Sequence, residues 1–289
     1  MAAELASQPQ TWARAAALTA EQRLLPPHGA RVAVIGCGTS WFVGQSYAAL
    51  REQGGLGETD AFPASEAFVD RGYDTVVALT RSGTTTEVLQ LVEEIRGRIR
   101  VVGVVGDDAS PLVDIVDDVV ALPFADERSV VQTRFATTAL ALFRASLGES
   151  IERAVLDGVA ALSSELPDEL VEAEQFTFVG RGWAVGLAHE AALKMREASQ
   201  SWTESYPAME YRHGPISIAG PGRATWHLGP ATAGLSAEVI ATGAWFEQGA
   251  LDPMAELIRV QRLAMLRARA AGLDPDAPRN LTRSVILGT

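Results

Sequence analysis

The chain has 289 residues, 47% hydrophobic and 21% charged, an ordinary globular balance at a length that suits two lobes. Its net charge of −12 excludes nucleic acid as the expected partner, because backbone-phosphate binding is driven by Lys and Arg, but leaves open a small anion held by local donors. One cysteine, Cys37, excludes an internal disulfide and a thiolate metal cluster, and no apolar run approaches the ~20 residues of a membrane span.

Glu4 and Pro9 stand where a secretory leader needs a basic, then apolar, region, so a cytoplasmic location is expected. Residues 1–27 read as a helical arm that starts near Ser7-Gln-Pro-Gln-Thr-Trp12 and ends at Pro26-Pro27. An α/β alternation follows over 28–150. Arg31–Ile35 is a short apolar strand leading through Gly36-Cys-Gly-Thr-Ser40 into a helix to Leu50. Asp74–Leu79 leads through Thr80-Arg-Ser-Gly-Thr-Thr85 into a helix to about Arg96. Arg100–Val105 is a third strand, and Val119–Leu122 a weaker fourth, followed by Glu127–Thr133 and a long apolar helix to about Leu147. Strands buried on both faces and separated by helices predict a doubly wound parallel sheet, which binds ligands at the carboxyl ends of its strands.

A helical connector over 151–167 precedes a second unit over 168–289. Phe176–Val179 is its strand, Gly180-Arg-Gly182 its turn, and Ala184 to about Gln200 its helix, a copy of residues 31–50 that points to an internal duplication. The copy is shortened, with only Ala224–Leu228 and Glu238–Thr242 reading as further strands before a helix from about Asp252 to Ala271 and a proline-containing tail. The expected fold is α/β, with two doubly wound, flavodoxin-like lobes of which the second is shortened.

Glu190, Lys194 and Glu197 stand at i, i+4 and i+7 and share one helix face. Beyond them, Glu204-Ser-Tyr-Pro-Ala-Met-Glu210-Tyr-Arg-His213-Gly-Pro215 reads as a proline-broken, ordered loop. Carboxylate, ammonium and imidazole together suit proton transfer, although spacing alone favours an ion-paired surface helix and an incidental loop histidine. Lys194 is the only lysine of the chain, which marks either a site needing a compact ammonium or a chance survivor of an arginine bias. Gly38-Thr39-Ser40 and Ser82-Gly83-Thr84-Thr85 each follow a strand and open a helix, where free amides and hydroxyls hold anions or simply cap the helix. The pair in one sheet favours a phosphate. Trp41 stands where a dinucleotide fingerprint needs glycine, and His28, His189, His213 and His227 lack zinc-ligand spacing, so neither a cofactor nor a metal is expected.

With these residues collected, the chain resembles the sugar-isomerase (SIS) family, above all the isomerase half of glucosamine-6-phosphate synthase and related amino-sugar-phosphate deaminases and deglycases. The resemblance runs through Glu4-Leu-x-x-Gln8-Pro9, Gly36-Cys-Gly-Thr-Ser40, Thr80-x-Ser-Gly-x-Thr85, Thr133-Arg-x-x-Thr137-Thr138 and Gly180-Arg-Gly182. It continues through Ala192-Leu-Lys-x-x-Glu197, Glu204-x-Tyr206, Glu210-x-x-His213-Gly-Pro215 and Pro278-Arg-Asn-Leu281. It implies that Ser40, Thr80, Ser82 and Thr85 bind the sugar phosphate, in loops that also carry Gly38, Thr39, Arg81, Gly83 and Gln132. Glu197 is then the base that moves a proton between C1 and C2, and Lys194 lies against the substrate's hydroxyls or developing enolate. His213 is implied to open the ring from the neighbouring subunit, hence a homodimer with a shared site.

Three departures qualify the likeness. Arg81 and Thr84 replace the family's Gln and Glu, Gln132 replaces a phosphate-contacting serine, and Arg283 stands at the tail lysine that forms a Schiff base with the ketose. An arginine offers no free amine for that imine. No glutaminase half is expected here, so glutamine is not the expected nitrogen donor. The implied activity is aldose–ketose isomerisation of an amino-sugar phosphate, of the glucosamine-6-phosphate deaminase type. The alternatives are a deglycase, a simple ketose/aldose phosphate isomerase, or a non-catalytic phosphosugar sensor.

Overall fold

A computed structural model describes residues 1–287. The N-terminal arm consists of three short helices, α1 (Ala2–Ala6), α2 (Gln8–Ala16) and α3 (Thr19–Gln22). Trp12 of α2 is wholly buried, and its indole donates to Thr137 Oγ1 at 2.8 Å, which fixes the arm to the first lobe.

That lobe holds β1 (Val32–Gly36), α4 (Thr39–Gln53), β2 (Thr59–Pro63), β3 (Thr75–Thr80), α5 (Thr86–Ile95), β4 (Arg100–Val105), β5 (Asp118–Ala121) and α6 (Arg134–Ser146). Its strands are all parallel, in the order β2-β1-β3-β4-β5. β1 and β3 are buried along their whole length, as a sheet covered by helices on both faces requires. Helices α7 (Glu152–Ala161) and α8 (Asp168–Glu172) lead to β6 (Gln175–Gly180), α9 (Ala184–Ser199), β7 (Trp202–Pro207), β8 (Arg223–Leu228), α10 (Leu235–Ala241), β9 (Trp245–Gln248) and α11 (Pro253–Ala270). The second sheet is also parallel, in the order β7-β6-β8-β9. This is the wiring of the first sheet without its last strand, so the expected shortening is the loss of one strand.

Three local readings are corrected. Residues 204–207, read as the start of a loop, belong to the edge strand β7, paired with β6 from Gln175↔Trp202 to Gly180↔Pro207. Pro207 is tolerated because it closes an edge strand, where its missing N–H breaks little of the ladder. Of Glu238–Thr242, read as a strand, all but the capping Thr242 lie in α10, whose Leu235 and Val239 are buried at i, i+4 spacing while Ile240 stays exposed. β2 and β9 carry few wholly buried residues, and so escaped an apolar-run criterion.

One apolar core runs between the sheets, joining Val32, Val77 and Val102 to Phe176, Trp226 and Leu257. α4 and α9 cross at Gly186, where a Cβ would lie 2.3 Å from the Phe42 carbonyl oxygen and 2.5 Å from Ser46 Oγ. Only glycine permits that approach, and Ser46 Oγ donates to the Trp183 carbonyl at 2.8 Å beside it. The crossing carries the second lobe's α9 onto the first lobe's glycine turn. Among the described residues, no helix is long and apolar enough to cross a membrane.

Candidate active site

The order of the first sheet reverses between β1 and β3, and both Ser/Thr turns leave it there, where doubly wound sheets bind ligands. In the first turn Gly38 has φ +53°, and the buried Thr39 and Ser40 open α4. The second turn holds its own shape: Gly83 N donates to Thr80 Oγ1 at 3.3 Å, and Ser82 Oγ accepts from Thr84 N at 3.3 Å and Thr84 Oγ1 at 3.0 Å. Gly83 has φ +59° and sits so close to Ser110 that a Cβ would fall 2.0 Å from its hydroxyl. Among the described residues Ser110 Oγ has no hydrogen-bond partner.

Arg81 points away from this turn. Its buried guanidinium donates to the carbonyls of Ser129 (2.8 Å), Val130 (3.3 Å) and Arg283 (2.9 Å), leaving Nε without a partner among the described residues. The third segment is organised by Glu127, 1% exposed, whose carboxylate accepts from Thr133 N (2.6 Å), Thr133 Oγ1 (2.7 Å), Arg134 N (2.9 Å) and Phe135 N (3.2 Å). A carboxylate on the first amides of α6 suits the positive end of the helix. Gln132 lies on this segment, half-buried, with Oε1 unpartnered among the described residues.

The shared face of α9 is buried rather than solvated. Lys194 Nζ lies 3.0 Å from Thr39 Oγ1 and 3.4 Å from Glu190 Oε1, and donates to Glu197 Oε2. Thr39 Oγ1 also donates to Glu190 Oε1 at 3.3 Å. One ammonium is thus held between two carboxylates and the first phosphate-type turn. Burial opposes the Lys194 charge, but the carboxylates of Glu190 and Glu197 outweigh it and raise the lysine above its usual range. Glu190 is wholly buried, and burial pushes its carboxyl up to about 7 against the pull of Lys194. Its Oε2 has no partner among the described residues.

Glu197 is the half-buried end of this group, and borders a cavity of about 380 Å³ between Leu193 and Arg196 of α9 and Arg279–Leu281 of the tail. Leu193 reaches the first turn, with its Cδ2 3.8 Å from where a Cβ on Gly38 would be. A larger groove of about 730 Å³, between the arm and α6–α7, carries none of these groups.

The structure therefore brings Thr39, Lys194 and Glu197 together. His213 follows the Glu210–Arg212 turn and is exposed; no hydrogen bond or ion pair joins it to Glu197. Arg283 turns its guanidinium to the Asp126 carboxylate, at 2.6 and 2.8 Å, and to the Glu127 carbonyl. Sequence reasoning singled out neither Asp126 nor Glu127 individually, nor the tail's Ser284. The available signal was the acidic pair Asp126-Glu127 just past β5, at the end of the sheet where ligands bind.

No family model matches the chain. The fold is shared with solved structures that include a glucosamine-6-phosphate deaminase and a ketose/aldose phosphate isomerase. The chain superposes on glucosamine-6-phosphate deaminase from Thermotoga maritima with a TM-score of 0.82, over 98% of both chains at 22% identity. On the tagatose-6-phosphate ketose/aldose isomerase of Escherichia coli the TM-score is 0.80, over 99% of this chain and 95% of that one at 19% identity. Such low identities carry the fold alone. In sequence the chain is 32% identical to the isomerizing glutamine–fructose-6-phosphate aminotransferase of Aeropyrum pernix, a match that covers 88% of this chain and 51% of that protein. The chain spans about half the length of the curated relatives it matches. It is a homologue of the sugar-isomerase (SIS) region of those aminotransferases.

Proposed function

We propose that the chain isomerises an amino-sugar phosphate in the manner of a glucosamine-6-phosphate deaminase. The observation that carries this reading is the Lys194 ammonium, locked between Glu190 and Glu197 and bonded to Thr39 of the first turn. An isomerase needs a carboxylate base beside a fixed positive charge, close to a phosphate anchor. The hydroxyls and amides at Ser40, Thr80, Ser82 and Thr85 serve as that anchor.

In the open-chain aldose, Glu197 takes the proton from C2, and Lys194 stabilises the charge that grows on the C1 oxygen. Protonation of the C1 oxygen gives an enolamine, and returning the carbon-bound proton to C1 while the nitrogen gives up one proton leaves a C1 hydroxyl and a C2 imine. Water then adds to C2, the C–N bond breaks, and ammonia and the ketose phosphate are released. His213, exposed and with no side-chain hydrogen bond among the described residues, acts in this scheme on the ring oxygen of sugar bound by a second copy, which makes the working unit a homodimer. The names of the Thermotoga and Aeropyrum proteins, a glucosamine-6-phosphate deaminase and a fructose-6-phosphate aminotransferase, support an amino sugar.

Incubation with glucosamine 6-phosphate, with ammonia and ketose phosphate assayed separately, tests the reading. Turnover by the wild type and a loss of about 10²–10⁴-fold in Glu197→Gln are expected. Equal inertness of both proteins across several phosphosugars sinks it. A second reading, a simple ketose/aldose phosphate isomerase, is favoured by Arg283, which leaves the tail without an amine; interconversion of sugar phosphates with no ammonia released identifies it.

A further inference from the structure

The tail makes a set of contacts that the proton-transfer scheme leaves unused. Arg279–Leu281 wall the cavity that Glu197 borders, and Asn280 turns the chain there with φ +63°. Three residues on, the chain straps the second turn. Ser284 Oγ accepts from Thr84 Oγ1 at 2.9 Å, the Val285 carbonyl accepts from Thr86 N at 3.2 Å, and Leu287 N donates to Thr86 Oγ1 at 2.9 Å. Thr86 N is the first amide of α5, so this strap sits directly on the phosphate-type turn.

Between cavity wall and strap stands Arg283. Its side chain grips the Asp126 carboxylate with two hydrogen bonds and the Glu127 carbonyl with a third, while its own carbonyl accepts from Arg81 Nη2 at 2.9 Å. Asp126 and Glu127 belong to the segment whose backbone Arg81 also holds, through Ser129 and Val130. The two arginines that depart from the family pattern are thus parts of one clamp. Every hydrogen bond in it joins protein groups.

We infer that Arg283 is a positioning residue, a latch that with Asp126 and Arg81 holds the tail closed across both the cavity wall and the second turn, and that must open for a phosphosugar to enter or leave. A planar guanidinium supplies the fork that a carboxylate and a neighbouring carbonyl need, whereas a lysine ammonium has no such fixed geometry. The kinetic half of the inference rests on the proposed phosphosugar reading; the structural half does not.

The test uses the full chain and four variants: Arg283→Ala, Arg283→Lys, Asp126→Ala and the Arg283→Ala/Asp126→Ala double. Hydrogen exchange is followed at the Leu287 and Thr86 amides, alongside KM and kcat for whichever phosphosugar turns over. Arg283→Ala and Asp126→Ala should each speed exchange at both amides by roughly tenfold, the scale of a charge-assisted fork, with the double no faster than either single. KM should rise by a similar factor with a much smaller change in kcat, and Arg283→Lys should recover part of both losses. Unchanged exchange in Arg283→Ala overturns the latch, as do single effects that multiply in the double. A fall in kcat at wild-type exchange also overturns it, because Arg283 would then be acting on substrate. Faster exchange in a protein that neither binds nor turns over any phosphosugar upholds the latch and removes the proposed reaction instead.

Discussion

Replacing Lys194 by methionine removes the ammonium from between two carboxylates while keeping the apolar length of the side chain. The consequence turns on Glu190, which is wholly buried and carries a carboxyl raised from 4.5 to about 7 even with the lysine beside it. A folded-state pKa above the unfolded one means stability that is fully present below pH 4.5 and is lost as pH rises towards 7. In the wild type the loss levels off above pH 7 at roughly 3 kcal/mol, because Glu190 can then ionise against Lys194. In Lys194→Met no ammonium receives that charge, so the carboxyl stays protonated and stability continues to fall by roughly 1 kcal/mol for each further pH unit. Breaking a buried pair adds a cost on the order of 3 kcal/mol, since Thr39 and Glu197 also lose a partner.

Urea unfolding of wild type and variant between pH 6 and 9 measures this. The stability gap should widen from pH 7 upward by the slope just given, and the Glu190→Gln/Lys194→Met double should flatten it. A gap constant from pH 6 to 9, or one that Glu190→Gln leaves unchanged, refutes the assignment of Glu190 as the titrating partner.

Gly186→Ala places a Cβ 2.3 Å from the Phe42 carbonyl oxygen and should cost roughly 1–3 kcal/mol by forcing α4 and α9 apart, measured as a lower urea midpoint at unchanged m. Gly83→Ala meets both a left-handed φ of +59° and Ser110 Oγ at 2.0 Å; it should lower the melting temperature and weaken thermal stabilisation by inorganic phosphate. Mixing inactive Glu197→Gln and His213→Ala proteins should restore roughly a quarter of wild-type turnover if the sites are shared across a two-fold dimer. No recovery, with subunit exchange demonstrated, puts both groups in one chain.

Much of the architecture is local and therefore legible in the sequence. β1, β3, β4 and β6 are apolar, β-rich runs bounded by glycine turns, and each is buried nearly throughout, so composition alone marks them. The two Ser/Thr turns are legible for the same reason, since a strand, a glycine turn and a hydroxyl at a helix start lie within a few residues. Edge strands are not: β7 pairs on one side only, ends in proline and keeps polar residues, so its pairing with β6 becomes visible only once the sheet exists. Val239 and Ile240 show the converse, a β-branched pair drawn into α10 because Leu235 and Val239 together fill a pocket that a strand could not.

The site divides along the same line. Spacing placed Glu190, Lys194 and Glu197 on one face, but a helix face looks the same on paper whether it meets water or another lobe. The α4–α9 crossing at Gly186 decided the matter. By setting α9 on the first turn it buries Lys194 and Glu190, joins them to Thr39, and leaves Glu197 at the cavity. Tertiary structure likewise decided what Arg283 does, because Asp126 lies 157 positions away in the chain and no sequence period relates the two. Local patterns determine strands, turns and helix faces; dielectric, pKa and partner choice depend on contacts between distant segments, and those exist only after the two sheets have closed on one core.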